Sequence, residues 1–222
     1  MTDAPYNPLV KANLARSIQT ELLSRDSIPL SDTDKIKGAG IYVIYYSGSF
    51  APYAHVRKAR APIYIGKAIP KGGRKGGIGS DASRGRAMAD RLGQHMRSID
   101  EVCNLEVKEF RVRHLMVDDI WIPLGENMLI EQFKPVWNRA IDGFGNKDPG
   151  RRRATQYKSP WDVLHTGRKF AEKLAAGDMT MDFLVERVAD YFAGKPLKRL
   201  PKVIEQQQTA EIEEAQEAAD EA

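Results

Sequence analysis

A carboxylate on the apolar face of a helix constrains this chain more than any other single feature. In the stretch from Asp118 to Asn138, Asp118 or Asp119 is placed to cap a helix, Pro123 is tolerated in its first turn, and Pro135 stops it. Counting i, i+3, i+4 and i+7 from Glu126 reaches Leu129, Ile130 and Phe133, so the carboxylate points toward the core with them. A buried, unpaired carboxylate is costly, so Glu126 needs a cation, a metal or a proton. A salt bridge to a neighbouring arginine is the plain structural answer, and a metal site is the functional one.

The strands come earlier in the chain. Gly40-Ile-Tyr-Val-Ile-Tyr-Tyr46 is a β-branched and aromatic run with Tyr42, Ile44 and Tyr46 on one face, and Ile63-Tyr-Ile-Gly66 is a second short strand opened by Pro62. Leu105 to Val117 supplies a third, with a change of parity near Lys108 that predicts a turn or bulge. Helices are expected over 7–25, with Pro8 at N1, over 86–97, and within 160–194. Residues 47–61 and the glycine-rich, basic 67–86 stretch read as loops, the second long enough to be functional. It fits neither Gly-x-Gly-x-x-Gly with a following helix nor a P-loop.

The net charge of +4 conceals an asymmetry: residues 201–222 carry seven acids against Lys202, leaving about +10 on the first 200 residues. Between Arg57 and Arg97 there are eleven Lys or Arg against Asp81 and Asp90, the pattern expected of a surface that meets phosphates, although a merely solvated face carries similar charge. Cys103 is the single cysteine, which excludes a disulfide framework and a cysteine-based zinc site. No secretory leader pattern and no uninterrupted apolar span is present, so a cytoplasmic protein with no membrane contact is expected.

Three pieces stand together: Gly40-Ile41-Tyr42, then Tyr64-Ile65-Gly66 followed by Lys67, then Glu126 with Asn138 twelve residues on, with Arg91 and His95 one helical turn apart between them. In that order and spacing they resemble the GIY-YIG nuclease family over about residues 38–140, and the segments around Lys67, Val117–Glu126 and Asp142–Gly150 resemble its type II restriction branch, the group that cleaves CCGCGG. The resemblance implies an α/β (α+β) fold: a small three-stranded antiparallel sheet flanked by helices, with helical N- and C-terminal extensions. Its parts are a helical arm over 1–37, the nuclease core with inserted loops 47–61 and 68–86, a DNA-contacting loop and helices over 141–200, and an acidic tail.

The same resemblance assigns roles. Glu126 holds one Mg²⁺, a hard cation suited to oxygen ligands; Arg91 and Lys67 face the phosphate; Tyr42 and Tyr64 flank the attacking water. His95 assists a phenol, which is a poor base at its ordinary pKa of about 10. Asn138 orients the glutamate or a ring hydroxyl. Double-stranded DNA is the implied partner, and composition rather than resemblance points to its readers: Lys71, Arg74, Lys75, Arg84 and Arg86 on one loop and Asn146, Lys147, Arg151, Arg152 and Arg153 on the other. A palindromic site calls for a homodimer, and a restriction enzyme for a cognate methyltransferase. Repair or homing nucleases of the same family, or a basic nucleic-acid-binding module without catalysis, are the alternatives.

Overall fold

The computed structural model describes residues 10–69, 85–148, 156–175 and 177–200 of the chain. In order these form α1 (Lys11–Ser24), β1 (Ile28–Pro29), β2 (Gly40–Tyr46), α2 (Ala54–Ala59), β3 (Pro62–Ala68), α3 (Ala87–Asp100), β4 (Phe110–Met116), α4 (Ile122–Phe133), α5 (Val136–Arg139), α6 (Pro160–Leu164) and α7 (Met181–Phe192). The sheet is antiparallel throughout with strand order β1-β4-β2-β3, so β2 is central and β3 is an edge.

Strand periodicity separates the sheet into two buried faces. Tyr42, Ile44, Tyr46, Phe110 and Val112 pack beneath Met88, Leu92 and Ile99 of α3 and continue into Trp137, Phe144, Trp161, Leu184 and Val188. On the opposite face, Ile41, Val43, Ile65 and Leu115 meet Leu22 of α1 and Ile122 and Leu129 of α4. Burying each such aliphatic or aromatic side chain contributes about 1.5–3 kcal/mol, which is what holds short strands in register. The N-terminal helix therefore packs on the core; it runs from Lys11 behind an extended Val10, and Pro8, the expected N1 position, lies outside the described residues.

Several expectations need correcting. The sheet has a fourth strand: Ile28 pairs with Val112 and Pro29 with Arg111, and two residues are too few to leave a periodic signal. Pro29 is tolerated because β1 is an edge. The 47–61 segment is not loop throughout, since a 3₁₀ turn over Ala51–Tyr53 runs into α2, which ends at Arg60 in the left-handed conformation (φ 50°). Six helical residues cannot be stable alone, and burial of Tyr53 and Val56 in the core sustains them. Helix α4 is not capped by either aspartate: Asp118 precedes a 3₁₀ turn without a side-chain bond, and Asp119 Oδ1 accepts from the Ile120 amide at 2.9 Å. The turn expected near Lys108, by contrast, is present as a 3₁₀ turn over Val107–Glu109 that leads into β4.

Candidate active site

Register places the two motif tyrosines together. Tyr42 pairs with Gly66 and Ile44 with Tyr64, so Tyr42 and Tyr64 are diagonal neighbours on one face, their ring centroids 6.3 Å apart. Gly66 is required by close approach: a methyl there would lie 2.4 Å from the Tyr42 oxygen and 2.6 Å from its Cζ. The phenol of the first tripeptide occupies the space that the glycine of the second leaves open.

Helix α3 brings the next two groups. Its apolar positions Met88, Leu92 and Ile99 bury one side, and His95 and Arg91 stand beside them. Tyr42 Oη and His95 Nε2 are 2.6 Å apart, both fully buried. Burial, reinforced by the Tyr64 phenol, pushes the Tyr42 phenol well up, against the lowering effect of the Arg91 charge. Burial also pushes Tyr64 up to about 12, again opposed by Arg91. For His95, burial followed by the charges of Arg91 and Arg168 holds the imidazole well below its usual range. Both members of the pair are therefore neutral, and in the Nδ1–H tautomer the phenol O–H donates to Nε2.

Glu126 belongs to the other face of the sheet. Its partner is Lys67, not an arginine, with Nζ to Oε2 at 2.7 Å and the carboxylate side chain only 13% exposed. Lys67 follows Ile65 and Gly66 at the end of β3, an edge strand, and pairs with Ile41 one position on from the Tyr42–Gly66 pair. The negative charge of Glu126 is felt at both phenols, where it opposes ionisation. Gly125 lets α4 approach this closely, since a methyl there would sit 2.4 Å from Ile41 Cδ1. Among the described residues no cluster of three or more His, Cys, Asp or Glu could hold a metal ion. A single carboxylate that already attracts an ammonium group fits a hydrated Mg²⁺ held chiefly by water and substrate oxygens.

Asn138 sits elsewhere than expected. Its Oδ1 accepts from the Ile65 amide and its Nδ2 donates to the Ile65 carbonyl, both at 2.9 Å. The side-chain amide thus continues the ladder like another strand and pins β3 between Tyr64 and Gly66, instead of orienting the glutamate or a hydroxyl.

The loop after α5 forms another wall. Phe144 stacks on His95 with centroids 4.4 Å apart and 17° between planes, and the Gly145 carbonyl accepts from Arg91 Nη1 at 3.3 Å. Behind it, buried Arg168 grips Asp162 and donates to the carbonyls of Gly143, Phe144 and Asn146. Nothing local marks Arg168 in the sequence: an arginine between Gly167 and Lys169 looks like surface. Phe144 and Gly145 lie in a segment read as DNA-contacting, with no sign that they touch the catalytic groups. Of the expected DNA contacts, Arg86 is exposed at the start of α3, 3.7 Å from Asp90, and Asn146 and Lys147 are exposed on the 142–148 loop. Lys71, Arg74, Lys75, Arg84, Arg151, Arg152 and Arg153 lie outside the described residues.

A model of the Eco29kI GIY-YIG domain matches residues 34–192. The chain belongs to that family. No curated protein matches it. Membership in the Eco29kI GIY-YIG family makes it a restriction-type nuclease with DNA as its substrate. The match begins ahead of β2 and runs through α7, so the Eco29kI-type region includes the Arg168 segment and the helices that pack over the motif core. No helix among the described residues is long and apolar enough to cross a membrane.

Proposed function

We propose that this chain is a type II restriction endonuclease that hydrolyses double-stranded DNA at a palindromic, G·C-rich site, CCGCGG, using Mg²⁺ and acting as a homodimer. The observation that carries this reading is that the charge of Glu126, paired with Lys67, acts on Tyr42 and Tyr64, the phenols that also feel Arg91 and, at Tyr42, bond to His95. Glu126 would hold the Mg²⁺, which when bound neutralises charge building on the scissile phosphate and its leaving oxygen. Arg91 offers a planar fork to the same phosphate, and Lys67, once released from Glu126, adds a point charge.

The two phenols set the water. With their proton affinities raised by burial, Tyr42 and Tyr64 act in the neutral form as donors and acceptors that orient the nucleophile. His95 accepts from Tyr42 and so fixes the direction in which that phenol presents its oxygen to the water. A two-fold dimer would present one such centre to each strand of a palindrome. A cytoplasmic location and a cognate methyltransferase that protects host sites complete the proposal.

The test is direct. Incubation of unmethylated plasmid with protein and Mg²⁺ should give discrete bands whose ends map to CCGCGG, with none when the ion is chelated. Nicking at branched or damaged structures would favour a repair-type relative, and a gel shift without cutting would favour a binding module.

A further inference from the structure

We infer that Arg168 is a positioning residue that couples the 142–148 loop to the active-site arginine, so that the placement of Arg91 and His95 depends on a guanidinium that never touches the substrate. The inference rests on the nuclease reading above. Arg168 is 2% exposed and its partner Asp162 3%. Removing two charges from water is expensive, so such a pair persists only with its hydrogen bonds filled. They are filled: Nε and Nη2 reach the two Asp162 oxygens at 2.7 and 2.8 Å, Nη2 reaches the Gly143 carbonyl at 3.0 Å, and Nη1 reaches the Phe144 carbonyl at 3.1 Å. Longer contacts run from Nη1 to the Asn146 carbonyl at 3.4 Å and to Ser98 Oγ on α3 at 3.5 Å. Trp161 and Phe170 hold the guanidinium between their rings, with centroids 4.8 and 4.6 Å away. Ser159 Oγ donates to Asp162 Oδ2 at 2.7 Å, which fixes the carboxylate in turn.

What the loop does on its other side gives the clamp its consequence. Three of its carbonyls face Arg168, while Phe144 stacks on His95 and Gly145 receives Arg91. A methyl on Gly145 would lie 2.7 Å from Arg91 Nη2 and 3.1 Å from the Tyr64 oxygen, so this peptide abuts both catalytic groups. Asn146 and Lys147, the exposed end of the same loop, stand beside a cavity of about 330 Å³ that Arg91, His95, Gly145 and Arg168 also line. The peptide between these two arginines is held by Arg168 behind and by Arg91 in front. Lysine cannot replace Arg168 here, because a single ammonium cannot span a carboxylate and three carbonyls at once.

The experiment measures single-turnover cleavage of an unmethylated CCGCGG duplex with Mg²⁺, its affinity with Ca²⁺ in place of Mg²⁺, and thermal unfolding, for the parent, Arg168→Lys, Asp162→Asn, Arg91→Lys and the double variant of Arg168→Lys with Arg91→Lys. A catalytic group misplaced by about 1 Å costs about 10²-fold. Arg168→Lys is therefore expected to lose about that much in rate, keep duplex affinity within about threefold, and lose almost nothing further when Arg91→Lys is already present. Should Arg168→Lys melt below the assay temperature, Asp162→Asn decides, with a smaller loss of the same kind and the same dependence on Arg91. Equal losses with and without Arg91, or a folded variant that cuts at the parent rate, would overturn the coupling alone. No cleavage of this duplex by the parent would overturn the proposed CCGCGG reading on which this inference rests.

Discussion

Among the described residues two buried tyrosine–histidine pairs have the same length, and only one of them belongs to the site. Tyr42 meets His95, and Tyr53 meets His165, each with phenol oxygen and Nε2 2.6 Å apart. In the second pair His165 Nδ1 is also tied to Asn104 at 2.8 Å, and Phe50, Trp137 and Trp161 close around the ring. Burial, with the charge of Arg168 adding to it, pushes that imidazole down to about 3. The first pair is as dry, but Arg91, Tyr64 and Glu126 act on it electrostatically. A hydrogen-bonded phenol and imidazole is therefore a device of the fold, and the company of Arg91, Tyr64 and Glu126 is what makes the first pair candidate machinery.

Several substitutions test that contrast. The largest effect belongs to the group that distinguishes the two pairs: Glu126→Gln should reduce plasmid cleavage by about 10³-fold or more while the protein still binds duplex DNA. Cutting at parental speed would remove Glu126 from the chemistry. Next, Tyr42→Phe should lower the single-turnover rate by about 10²-fold. Tyr53→Phe should instead leave that rate within about twofold and cost about 1–3 kcal/mol in urea denaturation, because His165 loses a buried partner. Equal behaviour of the two variants would erase the comparison.

A smaller effect is expected from Asn138→Ala. It exposes the edge of β3 at Ile65 without touching any reacting group, so stability should fall by about 1–2 kcal/mol and the rate by about tenfold. A rate loss as large as that of Glu126→Gln would return Asn138 to the catalytic set. The mildest test is of acid stability. His95 and His165 both have folded-state proton affinities below the unfolded value of about 6.5, so their contribution is complete above that pH and is lost as pH falls below it. Each contributes a slope of about 1.4 kcal/mol per pH unit there. Denaturant midpoints measured from pH 7 down to 5 should flatten in His165→Gln, and an unchanged slope would mean that His165 is already protonated in the fold.

How far the site could be read along the chain follows from how its signals are carried. Tyr42, Tyr64 and Glu126 announce themselves because strand and helix periods report which way a residue faces, and their spacing survives without coordinates. Asn138 could be located but its duty could not, because one side-chain amide can bond to a carboxylate, a hydroxyl or a strand edge with the same chemistry. The partner of Glu126 was equally illegible: Lys67 lies 59 residues away, and only the pairing of β3 with its neighbours brings the two to 2.7 Å. Strand β1 and helix α2 are too short to impose a period and exist through long-range burial.

Local order by itself determined the alternation that makes β2 and β3 strands, the helix that turns Glu126 inward, and the motif spacing that marks a nuclease. Tertiary structure alone decided that Glu126 pairs with Lys67, that Asn138 serves the backbone, that only one of the two matching tyrosine–histidine pairs lies within the influence of Arg91, Tyr64 and Glu126, and that Arg168 stands behind the catalytic wall. The reason is physical: periodicity is a property of neighbours along the chain, whereas desolvation and charge pairing depend on which distant segments the core brings together.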